Sequence, residues 1–142
     1  MILLKSKIVV IDDEIKLLKV IKRALEIDGY EVYDFSNPFE GLDFIKTRES
    51  DLVISDIRMS GMTGLDILSN IRDLYPEKPV ILMTAYSSVD TAITAVKLGA
   101  SDYLLKPFEL SDLKESVSKI LDKKSENEAK SSNIPTIIGN SA

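Results

Sequence analysis

Two adjacent carboxylates, Asp12 and Asp13, a third at Asp56, a hydroxyl at Thr84 and an ammonium at Lys106 each stand at or just beyond the end of a short apolar run, with Pro107 following the lysine. If those runs are parallel strands of one sheet, their ends share a rim, and open α/β sheets bind ligands outside the carboxyl ends of their strands. Three carboxylates gathered within about 5 Å repel by roughly 3 kcal/mol per pair at an effective dielectric of about 20. Such a cluster calls for a cation. The chain has no histidine and no cysteine, so ligation is by oxygen alone and selects a hard ion; a few carboxylates with room for waters and a phosphate oxygen suit Mg2+ better than Ca2+. Lys106 brings a second positive charge. Mg2+, an ammonium and the Thr84 hydroxyl together stabilise charge on a transferring phosphoryl group, and a carboxylate ionised at neutral pH attacks without a general base. Asp56, alone at the tip of the middle run, is the expected nucleophile.

The runs that must position these groups are Lys7 to Ile11, Glu31 to Phe35, Asp51 to Ser55, Pro79 to Met83 and Ser101 to Leu105, all rich in Ile, Val, Leu or aromatics. Between them apolar residues recur at helical spacing: Ile15, Leu18, Ile21 and Leu25; Phe39, Leu42 and Ile45; Leu65, Leu68 and Ile71; Val89, Ala92, Ile93 and Val96. Asn37-Pro38 reads as a cap with proline in the first turn, and Gly29 and Gly99 follow helices where a left-handed residue is expected. Alternating strands and helices need crossovers, hence a parallel sheet, and near-continuous apolar runs such as Ile8-Val9-Val10-Ile11 suit strands covered on both faces. The expectation is a doubly wound α/β domain. Its last helix carries Leu110, Leu113, Val117, Ile120 and Leu121.

With 142 residues, 44% hydrophobic, the chain suits one domain with a single real core plus a tail. The domain is expected over 5–122, a polar linker or helix extension over 123–133, and a separate apolar ending over 134–142. A net charge of -5 without a Lys/Arg stripe argues against this segment gripping nucleic acid. Met1-Ile2-Leu3-Leu4, broken by Lys5 and Lys7, is too brief for a signal or membrane span, so a cytoplasmic setting is expected.

Asp12-Asp13, Asp56, Thr84-Ala85 and Lys106-Pro107-Phe108, in this order and spacing, resemble the receiver domain of bacterial two-component response regulators, over about Lys7 to Leu121. The resemblance implies a flavodoxin-like five-stranded sheet of order 2-1-3-4-5 with five helices and a cis peptide at Lys106-Pro107. It implies Asp56 as phosphoacceptor, Asp13, Asp56 and the Arg58 carbonyl as direct Mg2+ ligands, Asp12 as a ligand through water, and Lys106 and Thr84 at the phosphoryl group. It also implies a switch in which Thr84 turns toward that group and Tyr103 swings inward, remodelling the face of helix four, strand five and helix five. The stretch Ser55-Asp56-Ile57-Arg58-Met59, with Met83-Thr84-Ala85 and Gly99-Ala100-Ser101-Asp102-Tyr103, is similar to the NtrC-type branch, activators of sigma-54-dependent transcription. Ile137-Ile138-Gly139-Asn140-Ser141 resembles the entry into their AAA+ ATPase domain, so AAA+ and DNA-binding domains are expected in a longer protein. With no histidine of its own, the chain needs a separate sensor histidine kinase. The last helix, continuing toward Glu128, offers a twin for pairing in a homodimer, although its apolar spacing is short for a coiled coil.

Singly, these residues have ordinary readings: Asp12-Asp13 as a helix cap, Thr84 as a strand end, Lys106-Pro107 as a turn, Tyr103 as core. Their company gives them weight. Asp66 and Asp102 read as solvent-facing, and Ser60 and Thr63 depart from the proline and aspartate frequent in the family. Arg58 and Tyr86, two residues beyond Asp56 and Thr84, are expected to hinder water attack on an acyl phosphate. A phosphohydrolase of the haloacid dehalogenase kind would want an acid at position 58, and a flavoprotein would want small hydroxyl residues where Asp12-Asp13-Glu14 stand. A receiver serving only as a docking module is the remaining alternative.

Overall fold

The computed structural model describes residues 5–133, with side chains as far as 123. Strands β1 (Lys7–Ile11), β2 (Glu31–Phe35), β3 (Leu52–Asp56), β4 (Val80–Thr84) and β5 (Asp102–Leu105) alternate with helices α1 (Ile15–Ile27), α2 (Pro38–Thr47), α3 (Gly64–Leu74), α4 (Val89–Lys97) and α5 (Leu110–Asn133). All strand pairs are parallel and the order is β2-β1-β3-β4-β5, as expected. The apolar ending from Ile134 lies outside the described residues. No helix among the described residues is long and apolar enough to cross a membrane.

Successive strand residues point to opposite faces, and the sheet is covered on both. Ile8, Val10, Ile54, Ile81 and Met83 pack under α1 and α5, against Leu18, Ile21, Leu25, Leu113 and Val117. Val9, Ile11, Val53, Val80 and Leu82 pack under the other three helices, against Ile45, Ile67, Leu68, Ile71 and Ala95. β3 and β4 are buried along their whole lengths. That is why their sequences read as near-continuous apolar runs as far as Ile54 and Met83.

β3, β4 and β5 begin one residue later than their apolar runs. Asp51 instead closes the mouth of the sheet, its carboxylate accepting the Lys7 N–H at 2.7 Å, and the Ser101 hydroxyl accepts the Val80 N–H at 3.2 Å. β3 and β4 also end one residue later, so Asp56 and Thr84 are held by the ladder, opposite Met83 and Leu105.

The helix ends follow the expected punctuation. The Asn37 side chain caps α2 through the N–H groups of Phe39 and Glu40, with Pro38 in the first turn, and Gly29 and Gly99 take φ of 96° and 80°. Two acids expected merely to face solvent do more. Asp66 is exposed but completes a capping box with Thr63 at the start of α3, which gives the departure at position 63 a structural use. Asp102 accepts the Tyr103 N–H and the buried Ser116 hydroxyl, joining β5 to α5, because a hydroxyl enclosed among Leu113 and Val117 needs an acceptor.

α4 is the least embedded of the helices around the second face. Val89, Ile93 and Val96 are helically spaced, yet they are exposed, and only Ala95 is buried. Its C-terminal end is nonetheless fixed: the Arg72 guanidinium donates to the carbonyls of Leu98 (2.9 Å), Gly99 (2.8 Å) and Lys78 (2.8 Å).

Gly64 opens α3 directly beneath the tip of β3. A Cβ there would lie 2.3 Å from the Asp56 carbonyl oxygen and 2.9 Å from Ile57 Cα, both backbone atoms that cannot swing away. Gly64→Ala is therefore expected to push α3 off the β3 tip and lower the unfolding free energy by about 1–3 kcal/mol, read as a lower urea midpoint at unchanged slope.

Candidate functional site

The ladder and the turns after it bring Asp12, Asp13, Asp56 and Lys106 to one rim. Asp12 immediately follows β1, is fully buried, and is placed by two bonds: its N–H donates to the Phe35 carbonyl at 3.1 Å, and its Oδ1 accepts the Glu14 N–H at 2.9 Å, opening α1. Asp56, the last residue of β3, is buried. Asp13 is exposed, and one carboxylate oxygen from each of the three lies within 4.8 Å of the others. Lys106 arrives from beyond β5, its N–H tied to the Thr84 carbonyl at 2.8 Å and its peptide to Pro107 cis, as the family resemblance implied. Its ammonium donates to Asp12 Oδ2 at 2.8 Å and Asp56 Oδ2 at 3.2 Å.

The electrostatics follow from this arrangement. Burial pushes the Asp56 carboxyl up to about 6; the Asp12 charge adds to the rise, and Lys106 opposes it without cancelling it. Burial works against the Lys106 ammonium, but hydrogen bonding and charge from Asp12, and then from Asp56, outweigh it, and its pKa is raised. One ammonium is shared by two buried carboxylates, so neither is fully neutralised. The donor set suits a hard divalent cation: the three converging oxygens are all carboxylate, one of them from an exposed side chain that leaves room for water.

Thr84 is fully buried. Its hydroxyl is engaged within its own turn, accepting the Tyr86 N–H at 3.0 Å and donating to the Tyr86 carbonyl at 3.4 Å. Tyr103 is half-buried on β5 with its hydroxyl 3.5 Å from Ser87 Oγ, at the foot of α4. Arg58 and Tyr86 are exposed and meet each other: the guanidinium carbon lies 4.3 Å from the ring centroid, linking the loops after β3 and β4. Their bulk was legible in the sequence; their stacking was not. Sequence reasoning named Glu14 only with Asp12-Asp13, against a flavoprotein, and missed the approach of its Oε1 to the Lys106 ammonium at 3.6 Å, since the two residues lie far apart along the chain.

A carboxyl whose folded-state pKa lies above its unfolded value favours folding when protonated, and that contribution is lost as pH rises through the folded pKa. In metal-free protein, stability is therefore expected to fall between about pH 4 and pH 7, by on the order of 2 kcal/mol from Asp56. Asp56→Asn should remove that fall, raising the urea midpoint at pH 7.5 with little change at pH 4. Equal pH dependence in the two proteins would show that Asp56 is not under this stress.

Residues 8–118 match the response regulator receiver domain family. The chain is 41% identical over 114 residues to the transcriptional regulatory protein ZraR of Klebsiella oxytoca, covering 80% of this chain and 26% of that protein. It is 42% identical over 103 residues to the DNA-binding transcriptional regulator NtrC of Klebsiella pneumoniae, covering 72% of this chain and 22% of that protein. It thus spans about a quarter of the length of these relatives. Among solved structures, a response regulator receiver domain protein from Clostridium thermocellum superposes with a TM-score of 0.79 at 41% identity, covering 84% of this chain and 97% of that one. The response regulator protein TrrA from Thermotoga maritima, in complex with Mg2+ and BeF, superposes with a TM-score of 0.74 at 35% identity, covering 81% and 98%. With its sheet order, its acidic rim and its bridging lysine, the chain belongs to the response regulator receiver domain family.

Proposed function

We propose that Asp56 accepts a phosphoryl group from a sensor histidine kinase and that the acquired charge switches the face formed by α4, β5 and α5. The observation that carries this reading is the buried Asp12 and Asp56 pair held by one Lys106 ammonium, with an Asp13 oxygen within 4.8 Å of both. Such an under-neutralised acidic rim is suited to taking up a divalent cation together with a phosphoryl group. Asp13, Asp56 and the Arg58 carbonyl would hold Mg2+ directly and Asp12 through water, and the ion would supply neutralising charge for the phosphoryl oxygens.

An Asp56 carboxylate oxygen forms the new bond to phosphorus as the phosphorus–nitrogen bond of the donor phosphohistidine breaks, and the freed imidazole retains the electron pair and takes a proton. Lys106 stabilises the charge spread over the transferring oxygens. Thr84 then gives up its bonds within the β4–α4 turn to donate to the new phosphoryl group, and Tyr103 leaves Ser87 to fill the space behind it. Among the described residues, both hydroxyls are bonded only within or to the turn after β4.

The receiver occupies 5–122, with 123–133 a helical extension and 134–142 the start of an AAA+ domain in a longer, cytoplasmic, homodimeric activator of sigma-54-dependent transcription that contacts DNA through a further domain. The similarity to ZraR and NtrC supports that wider reading.

Acetyl phosphate with Mg2+ is expected to give a single phosphoryl adduct by intact mass that is absent without Mg2+ and absent in Asp56→Asn. A wild type that gains no adduct would leave a docking module as the better reading. The Arg58 and Tyr86 stack across the loops should shield the acyl phosphate, so the Arg58→Ala, Tyr86→Ala double variant is expected to lose its adduct several-fold faster in a dephosphorylation time course; no acceleration would remove shielding from the account.

A further inference from the structure

Lys106 has a third acidic neighbour that phosphoryl transfer does not require. Glu14 Oε1 lies 3.6 Å from the ammonium, beyond the 2.8 Å to Asp12 and the 3.2 Å to Asp56. Glu14 occupies the N-cap position of α1, yet its side chain makes no cap hydrogen bond. The Glu14 N–H is itself taken by Asp12 Oδ1. Nor does its carboxylate belong to the group of converging oxygens formed by Asp12, Asp13 and Asp56. What it does reach is the ammonium, from the solvent side, at the polar end of a groove of about 400 Å³ walled by Leu17, Val20, Pro107 and Phe108.

We propose that Glu14 is a positioning residue for Lys106, drawing the ammonium toward α1 and so weakening its hold on an oxyanion seated on Asp56. This rests on the phosphoacceptor reading of Asp56. An ammonium has three donors in a compact head. Asp12 and Asp56 take two, and Glu14 attracts the third away from the position that phosphoryl oxygens would occupy. Its negative charge also adds repulsion to an incoming dianion. Because the Glu14 side chain is 62% exposed, solvent screens the effect and keeps it modest. Glu14 then sets how readily a phosphoryl group is accepted and retained, while Asp56 and Lys106 determine that it is bound at all.

A purely structural role at the start of α1 makes a different forecast. Aspartate is a far better N-cap than glutamate, and one methylene shorter it falls short of Lys106. The affinity for beryllium trifluoride, a stand-in for the phosphoryl group, would be titrated at saturating Mg2+ by tyrosine fluorescence in wild type, Glu14→Gln and Glu14→Asp, at low and high salt. Glu14→Gln is expected to bind roughly three- to fivefold tighter at low salt, the upper range for a partly exposed ion pair, with the gap closing at high salt. Glu14→Asp should tighten binding in the same direction while raising the thermal midpoint. Unchanged or weaker binding in Glu14→Gln would overturn the proposal, as would a shift in thermal midpoint with no change in affinity. A wild type that ignores beryllium trifluoride at saturating Mg2+ would overturn the phosphoacceptor reading itself, and that failure shows without any variant.

Discussion

A single ammonium holds the rim of this sheet together. Asp12 and Asp56 close two neighbouring strands, and both are buried, so each carboxylate has lost most of its water. Lys106 restores part of that solvation to both at once. Removing one partner of a buried ion pair typically costs about 3–5 kcal/mol because the other charge is left stranded, and here the stranding would be double. The lysine does not finish the task, however. Three converging carboxylates against one ammonium leave a deficit of two positive charges when all are ionised. The raised Asp56 pKa follows first from burial and then from the Asp12 charge, with Lys106 opposing both without cancelling them.

The strand order makes this geometry available. Asp12 and Asp56 come from adjacent strands, β1 and β3, whereas Lys106 follows the edge strand β5 and must reach back past β4. A long, unbranched side chain can span that distance, and the bond from the Lys106 N–H to the Thr84 carbonyl fixes its starting point. The close approach of Gly64 to the Asp56 carbonyl seats α3 against the β3 tip. The nucleophile candidate is thus clamped by backbone on one side and free only toward the rim.

The parts of this architecture legible in the sequence were those written in periodicity and in strand-end chemistry. Near-continuous apolar runs identified strands covered on both faces, and polar residues at the ends of those runs identified the rim, because in a parallel sheet both features have one cause. Less legible was whatever depends on partners distant in sequence. Val89, Ile93 and Val96 have helical spacing, but spacing says nothing about whether the face meets a core, and this one does not. Asp102 looked solvated because Ser116, its partner, lies on another element. Glu14 had no partner legible in the sequence because Lys106 is far along the chain, and only the fold brings them to 3.6 Å.

The light packing of α4 suits the proposed switch, in which the rim acts on a distant surface. Thr84 and Tyr103, the two proposed switch residues, bond to Tyr86 and Ser87 in the turn just before α4, and Ser88 caps the helix that follows. At the opposite end, Arg72 holds the carbonyls of Leu98 and Gly99. Between these ends only Ala95 is buried, so displacing the N-terminal half of α4 forfeits little apolar contact. A helix fixed at one end, lightly seated along its length and tied at the other end to the proposed switch residues is free to shift as a unit, with its fixed end as the pivot. The free energy needed is set by a few hydrogen bonds in the β4–α4 turn, each worth about 0.5–1.5 kcal/mol net, which is within the reach of one charge-assisted contact to a phosphoryl oxygen. Had Val89 and Ile93 been buried, the same local event would have had to open a core, and the rim would be energetically isolated from the face it is proposed to control.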